Sequence, residues 1–493
     1  MHIEKNICDN LLGTFLNIYG KTKDTANARL DLEDMGIRPD LHLDRDEDGN
    51  PVGLPEAWYT MTKEQKLAFC EFIRQVRFPD GYAANLAKCV SPDGCKLQSL
   101  KTHDCHILLQ RLIPVGIRGI MDKEIYEVVA DLGKKFGELC CKTLKLDVLK
   151  RLKEEIPVIL CKLEKIFPPA FFDVMVHLAV HLPDEAILRG PVQYGWMYPI
   201  ERRLLTCKRY VRNMARPEGS IAEAYVVDEC LTFCSRYLDD VETRFNREGR
   251  NRECADLQAF DLSVFNHGVN LLGGSRKKYA GDDYDKMVWY VLNNCIEVQP
   301  YLQLCKEELR QEDSHNVDER LEKGFARWFQ NHVTSLRVEK REEVSDDLYA
   351  FACGPASGVL SYSTCVVEGV RYHTTDREKN NKAQNSGVMV EGTNDSEVND
   401  DGEEEIIDFY GQLKEIIKLQ YNSTQGVNRS VVLLRCDWFD LDAKKIGLKD
   451  DGHFKSINIG KCWYKNDPFI LATQSTKVFY LQDTKYGGDW RVV

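Results

Sequence analysis

The sequence predicts an α+β protein with a mainly helical central domain followed by a small β-rich C-terminal module. Between residues 101 and 245, apolar residues recur at spacings of three and four between proline-containing breaks, which is typical of packed helices. Residues 429–440, 454–459 and 477–483 are instead rich in β-branched and aromatic residues and are separated by glycine turns. Apolar residues make up 43% of the 493 positions, which is enough for hydrophobic cores and excludes a wholly disordered chain.

These changes in residue pattern along the sequence divide the chain into seven segments. Residues 1–20 predict an amphipathic helix that Gly20 ends, with Ile7, Leu11, Phe15 and Ile18 on its apolar face. The other segments are a connection with one helix that Thr62 can cap (21–100), the helical domain (101–245), an irregular and helical connector (246–345), short strands and turns (346–390), an acidic linker (391–410) and the β-rich module (411–493).

The negative charge of the chain is concentrated in one place. The formal net charge is −12, and nine acidic residues without any lysine or arginine lie between Lys382 and Lys414, which leaves −3 for the rest. A run of this kind is typical of a solvated linker, so we predict one at residues 391–410. The overall acidity therefore does not argue against nucleic-acid binding by a folded part.

No stretch approaches the roughly 18 uninterrupted apolar residues of a membrane helix. The polar start of the sequence lacks the apolar region of a secretory signal. We therefore expect an intracellular protein with no membrane partner. In that setting its 18 cysteines are expected to be mostly reduced thiols.

Two groups of nitrogen and sulfur ligands are weak candidates for a zinc site. His177 and His181 share a helix face at the i, i+4 spacing, but the glutamate of the metalloprotease motif is missing. The second group does not have a standard zinc-finger spacing; its members are Cys89, Cys95, His103, Cys105 and His106. We interpret the histidine pair as structural and assign no metal ligand.

Residues 201–219 carry the most informative charge pattern. On a helical wheel five basic side chains fall within about 120° of one another; they are Arg202, Lys208, Arg209, Arg212 and Arg216. Such a face can neutralise phosphates and bind nucleic acid without sequence preference. The alternative is a solvated basic face, or one that pairs with acids of a neighbouring helix.

Several segments, in collinear order over nearly the whole chain, resemble plant CACTA (En/Spm-type) transposases. Residues 2–14 (HIEKNICDNLLGT) and 20–24 (GKTKD) resemble the end of the transposase region. Segments similar to the helical domain that follows it are 103–106 (HDCH), 166–173 (IFPPAFFD), 196–202 (WMYPIER) and 217–223 (PEGSIAE). Residues 384–388 (QNSGV), 436–440 (CDWFD) and 478–480 (VFY) resemble the next segment and the C-terminal transposase-associated module.

The resemblance implies a DDE-type DNA transposase with an RNase H-like core, in which three carboxylates hold two Mg²⁺ or Mn²⁺ ions. It suggests Glu4 as the third carboxylate, while the two preceding aspartates would lie upstream of Met1. We therefore expect no catalytic cofactor in this chain and no cleavage or joining of DNA by the chain alone.

The resemblance also implies a nuclear location and DNA, at transposon ends, as a partner. Residues 1–20 would belong against a catalytic sheet that this chain lacks, which predicts self-association or recruitment of a full-length transposase through their apolar face.

Three alternatives remain for the function. The first is a transposase-derived chain without catalytic activity, and the second is a scaffold or interaction protein that a host has recruited, built on the helical domain. The third is an unrelated thiol- or zinc-dependent enzyme.

Overall fold

A computed structural model of the chain describes residues 2–238, 241–243, 247, 259–277, 279, 281–339, 344–356, 358–398, 404–421, 428–441, 447–463 and 467–493. Helices dominate the first half of the sequence, and most strands follow residue 269. This order confirms the predicted α+β class.

The first half forms a helical body around one hydrophobic core. A short hairpin of β1 (Asp44–Arg45) and β2 (Pro51–Gly53) lies within the connection. The helices are α1 (His2–Phe15), α2 (Ala26–Asp34), α3 (Lys63–Gln75), α4 (Thr102–Ile107), α5 (Ile113–Ile117), α6 (Lys123–Leu139), α7 (Leu146–Ile166), α8 (Val174–Leu178), α9 (Leu182–Arg189), α10 (Tyr198–Tyr210) and α11 (Pro217–Ser235). Thr62 caps α3 as predicted, since its hydroxyl accepts the backbone N–H of Gln65 in a capping box.

Helix α1 is shorter than predicted, and its apolar face is not open. It ends at Phe15 rather than at Gly20, and Ile7, Leu11 and Phe15 are all buried in the helical core. Helices α4 and α8 pack directly on α1. The expectation of an apolar face awaiting an absent sheet is therefore wrong, because helices far along the same chain cover it. Self-association through residues 1–20 loses the basis on which it was predicted.

The helical run over residues 102–117 passes through Pro114, which the sequence pattern treats as a break. Between α4 and α5 the chain makes a π-helical turn over Leu108–Leu112. Pro114 has no backbone N–H to donate, and it lies just after this wider turn. The proline is thereby accommodated without ending the helical run.

The second half is a sheet with helices packed against it. Its helices are α12 (Asp282–Asn293), α13 (Gln299–Glu312), α14 (Val317–Glu339), α15 (Asp346–Ala352) and α16 (Thr375–Glu378). Its strands are β3 (Asn270–Lys277), β4 (Val359–Val367), β5 (Val370–His373), β6 (Gly387–Val398), β7 (Glu404–Tyr421), β8 (Arg429–Phe439), β9 (Leu448–Asp450), β10 (Lys455–Asn458), β11 (Cys462–Trp463), β12 (Phe469–Leu471), β13 (Thr476–Lys477), β14 (Leu481–Gln482) and β15 (Trp490–Val492).

Among the described residues, nine strands form the main antiparallel sheet, with the central order β11-β8-β7-β4-β3. Phe325 and Phe329 of α14 share a core with Ile417 of β7 and Leu433 of β8. The segments predicted as a connector and as short strands therefore form one body with part of the segment predicted as a separate β-rich module. The predicted boundaries differ from these because strand β3 pairs with β4 almost ninety positions away, and pairing of this kind has no local signal.

The acidic run contains paired strands where the sequence predicts a linker. Strands β6 and β7 pair antiparallel, with Val390 opposite Phe409 and Glu391 opposite Asp408. Residues 399–403 lie outside the described residues. The apolar and aromatic residues next to the acids favour strand pairing, which a count of charges does not register.

A smaller sheet, in the order β14-β15-β10-β9, docks on the helical body. Leu481 and Val492 of this sheet belong to the same core as the helices. None of the described helices combines the length and apolar composition that crossing a bilayer requires.

Candidate functional site

Helices α10 and α11 form an exposed hairpin that carries the predicted basic residues. Neither helix has a buried residue. The two helices hold each other through the Tyr210 hydroxyl, which donates to Asp228 at 2.8 Å, and through the Arg203 guanidinium, which lies 4.8 Å from the Tyr225 ring centroid. The hairpin therefore offers both of its helices to solvent.

The basic residues do not share one helix face as predicted. Helix α10 ends at Tyr210, so Arg212 lies in the turn between the helices and Arg216 is the residue just before the first turn of α11. Asn213 helps to form this turn by accepting the backbone N–H of Ala215, and Pro217 disfavours a helical conformation at Arg216. The charges consequently lie along α10, from Arg202 in its first half to Lys208 and Arg209 in its last turn, and in the turn after it.

All five of these side chains are exposed; they are Arg202, Lys208, Arg209, Arg212 and Arg216. In the part of the chain that the structure describes, none of them has an acidic partner within 4.0 Å. The alternative in which a neighbouring helix neutralises them is not seen there. Arg212 and Arg216 line a groove of about 640 Å³ at the turn and α11, and Glu223 and Asp228 line it as well.

A second cluster surrounds Glu4, the residue that the resemblance singled out. Glu4 is 2% exposed and lies in the first turn of α1. Gln110 donates its side-chain N–H to Glu4 Oε1 at 2.7 Å. Glu4 Oε2 contacts His106 Nδ1 and accepts from the Cys140 thiol at an S···O distance of 3.9 Å. These contacts join α1, the helical run over residues 102–117 and the end of α6.

The fold explains why these side chains meet. His106 and Gln110 are four residues apart on one helical run, so both face α1. Cys140 directly follows α6, and α6 packs closely on the π-helical turn because Gly133 has no side chain. A Cβ at Gly133 would lie 2.5 Å from the Leu109 carbonyl oxygen.

The surroundings of the cluster are largely shielded from water. Burial raises the pKa of the Cys140 thiol to about 12, and the Glu4 carboxylate adds to the effect. The Trp196 ring covers His106 at a centroid distance of 5.6 Å. Two buried polar atoms, His106 Nε2 and the Tyr198 hydroxyl oxygen, have no hydrogen-bond partner among the described residues.

The cluster does not fit the metal pair that the resemblance implies for a complete catalytic core. Mg²⁺ and Mn²⁺ prefer oxygen ligands, and two-metal catalysis needs several carboxylates around one pair of ions. The ligating groups beside Glu4 are instead an imidazole and a thiol. Asp9, on the same helix, pairs with Lys5 at 2.8 Å. The residues around Glu4 therefore do not support catalysis through a pair of metal ions.

The zinc candidates of the sequence are not brought together. His103 is exposed, Cys95 lies in a turn, and Cys105 is buried beside Cys8. His177 and His181 are exposed with their Nε2 atoms 3.3 Å apart, so the two side chains contact each other at the surface rather than in the core.

Two family models match parts of the chain. The model described as "Domain of unknown function (DUF4218)" matches residues 139–252. A second, described as "Domain of unknown function (DUF4216)", matches residues 417–493. Both domains are typical of plant transposase-derived proteins. No curated protein and no solved structure matches the chain.

The first match contains the α10–α11 hairpin and Cys140, and the second contains β8 to β15. Glu4 and His106 lie outside both matches. The basic hairpin therefore lies wholly within a matched domain, whereas two of the three residues around Glu4 lie outside both matches.

Proposed function

We propose that this chain is a transposase-derived protein that binds DNA through the α10–α11 hairpin and does not itself cleave DNA. The two matched domains and the collinear resemblance to CACTA transposases support the derivation. The observation that carries the DNA-binding part is the set of five exposed basic side chains on α10 and in the turn after it, without acidic partners among the described residues, in a hairpin with no buried residue.

The charge distribution within the hairpin favours phosphate binding along α10 and the turn that follows it. Helix α11 carries four acidic residues and no lysine or arginine, whereas the basic residues gather on α10 and in the turn. Lysine and arginine that neutralise phosphates release counterions, so binding weakens as salt rises. We propose no residue that contacts base edges, so the DNA binding we propose does not depend on DNA sequence.

A salt titration tests this proposal. The double variant Arg209→Glu, Arg212→Glu should bind duplex DNA more weakly at every sequence tried. The slope of log affinity against log salt should flatten by about 2, because about two phosphate contacts are lost. Fluorescence anisotropy with labelled duplexes, between roughly 50 and 200 mM salt, measures both effects.

The matched control is Lys150→Glu, Lys165→Glu, which makes the same change of charge at exposed positions of α7. An equal loss of affinity in the control would show that net charge alone matters, and unchanged binding by the hairpin variant would contradict the proposal. A separate assay, in which the wild-type chain is incubated with DNA and Mg²⁺, tests the proposal that the chain does not itself cleave DNA. Nicking by the wild type that disappears in Glu4→Gln would contradict that proposal.

A role as an interaction protein is the second candidate, and exposed apolar side chains on the hairpin favour it. Leu204 of α10 is 62% exposed and Leu231 of α11 is 64% exposed. The basic end of α10 and the acidic α11 would be complementary in a pair of hairpins, so the partner we propose is a second copy of the chain. Light scattering that reports a dimer for the wild type and a monomer for Leu231→Asp, with DNA affinity unchanged, would favour this function.

A further inference from the structure

We propose that Glu4, His106 and Cys140 bind one zinc ion and leave one coordination position open. The three residues come from α1, α4 and the residue after α6, and one ligand atom from each lies within 4.8 Å of the other two. This proposal does not depend on DNA binding by the hairpin.

The geometry around Glu4 places the ligand atoms on one side of the carboxylate. Gln110 donates a hydrogen bond to Glu4 Oε1, while Glu4 Oε2 faces both His106 Nδ1 and Cys140 Sγ. A tetrahedral zinc ion at about 2.0 Å from an oxygen and 2.3 Å from a sulfur would hold these two atoms about 3.5 Å apart. The observed S···O distance of 3.9 Å requires only a small closure around an ion.

The chemistry of the three ligand atoms indicates which metal this site would bind. One nitrogen, one sulfur and one oxygen ligand suit zinc, whereas magnesium, calcium and manganese prefer oxygen. A carboxylate and a thiolate together also balance the two positive charges of Zn²⁺. A neutral centre is the favourable way to keep such groups in a site where Glu4 and His106 are both more than nine-tenths buried.

Two features around the cluster are typical of a ligand site rather than of a closed ion pair. The hydrogen bond from Gln110 fixes the orientation of the carboxylate, as outer groups do for metal ligands. His106 Nε2 is buried without a partner among the described residues, and so is the Tyr198 hydroxyl at the start of α10. The Tyr198 hydroxyl calls for a further group such as a metal-bound water, whereas His106 Nε2, on the opposite edge of the ring from Nδ1, calls for an ordered water of its own.

The main test is the zinc content of the purified full-length chain. After exposure to zinc and removal of the free metal, mass spectrometry of the elements should find about one zinc per chain. The variants Cys140→Ser and His106→Gln should each lose most of it. The matched control Cys141→Ser changes the exposed neighbouring thiol and should keep the metal. All variants carry His177→Gln and His181→Gln, which removes the exposed histidine pair as a competing site.

Cobalt supplies a readout that separates ligation from folding. The Co²⁺-loaded chain should show a thiolate-to-cobalt charge-transfer absorption that Cys141→Ser retains and Cys140→Ser loses. Circular dichroism checks that each variant is folded, and Glu4→Gln replaces any variant that is not. A wild type that binds no zinc or cobalt, or a folded Cys140→Ser variant that keeps the thiolate band, would overturn the proposal.

Discussion

His373 is a buried imidazole at the end of β5, with 5% of its surface exposed. Its Nδ1 lies 3.0 Å from the Thr364 hydroxyl oxygen of the paired strand β4. Burial lowers the pKa of His373 to about 4, and the nearby cations Arg377, Arg371 and Lys477 add to the effect. The folded state therefore holds this side chain neutral.

This residue predicts a pH dependence of stability. An unfolded histidine has a pKa of about 6.5, so between pH 6.5 and 4 the unfolded state binds the extra proton and the folded state is destabilised as the pH falls. Between pH 7 and pH 5, His373 should account for a loss of about 2 kcal/mol in the free energy of unfolding. Denaturant titrations at both pH values should show a correspondingly smaller loss in His373→Gln, but not in the exposed control His315→Gln.

At the scale of secondary structure, helix α6 has two glycines with opposite surroundings. A Cβ at Gly133 would meet the Leu109 carbonyl oxygen at 2.5 Å, whereas a Cβ at Gly137 would have no atom within 4 Å. Gly133 is therefore required by the close approach of α6 to the π-helical turn. Gly137 only adds backbone freedom to the unfolded chain.

The two glycines predict opposite effects of the same substitution. Gly133→Ala should destabilise the protein by about 1–3 kcal/mol, because backbone atoms must move apart. Gly137→Ala should stabilise it by about 0.5–1 kcal/mol through higher helix propensity. Thermal or chemical denaturation measures both, and a stabilised Gly133→Ala would mean that α6 lies farther from the turn.

At the scale of the whole molecule, Arg118 links the helical body to the small C-terminal sheet. Its side chain is fully buried, with Nε 2.6 Å from Asp451 Oδ2 and Nη1 3.0 Å from Asp483 Oδ2. Nη1 also donates to Ser456 Oγ at 2.6 Å, and the Tyr126 hydroxyl donates to Asp451 at 2.9 Å. The arginine is the cation that compensates two carboxylates at this junction.

Removing that cation should weaken the docking of the sheet. Arg118→Met leaves two carboxylates without their counterion and should cost about 3–5 kcal/mol of unfolding free energy. Arg111→Met, at an exposed position of the helical run that ends just before Arg118, should change it by less than about 0.5 kcal/mol. Equal stabilities of the two variants would show that the junction contributes little.

Much of the fold could be predicted from local patterns. The apolar periodicity predicts a helix over residues 146–166 that Pro157 kinks or divides; α7 has these bounds and is not divided at the proline. The proline lies half-exposed, and Lys153, whose carbonyl loses its hydrogen-bond donor, is exposed, so water can satisfy that carbonyl. The basic residues of the hairpin were also found from sequence, because charge and helical spacing are local properties.

Local patterns in the sequence therefore predict the α+β class, most helices of the first half and the basic residues of the hairpin. Three features depend instead on the packing of distant segments: the covering of α1, the sharing of one sheet by β3 to β8 and β11 to β13, and the meeting of Glu4 with His106 and Cys140. The three members of that cluster are more than thirty positions apart, so no motif spacing joins them. Helix formation depends on neighbours within about four residues, whereas sheets and side-chain clusters depend on contacts that only the packing of distant segments creates.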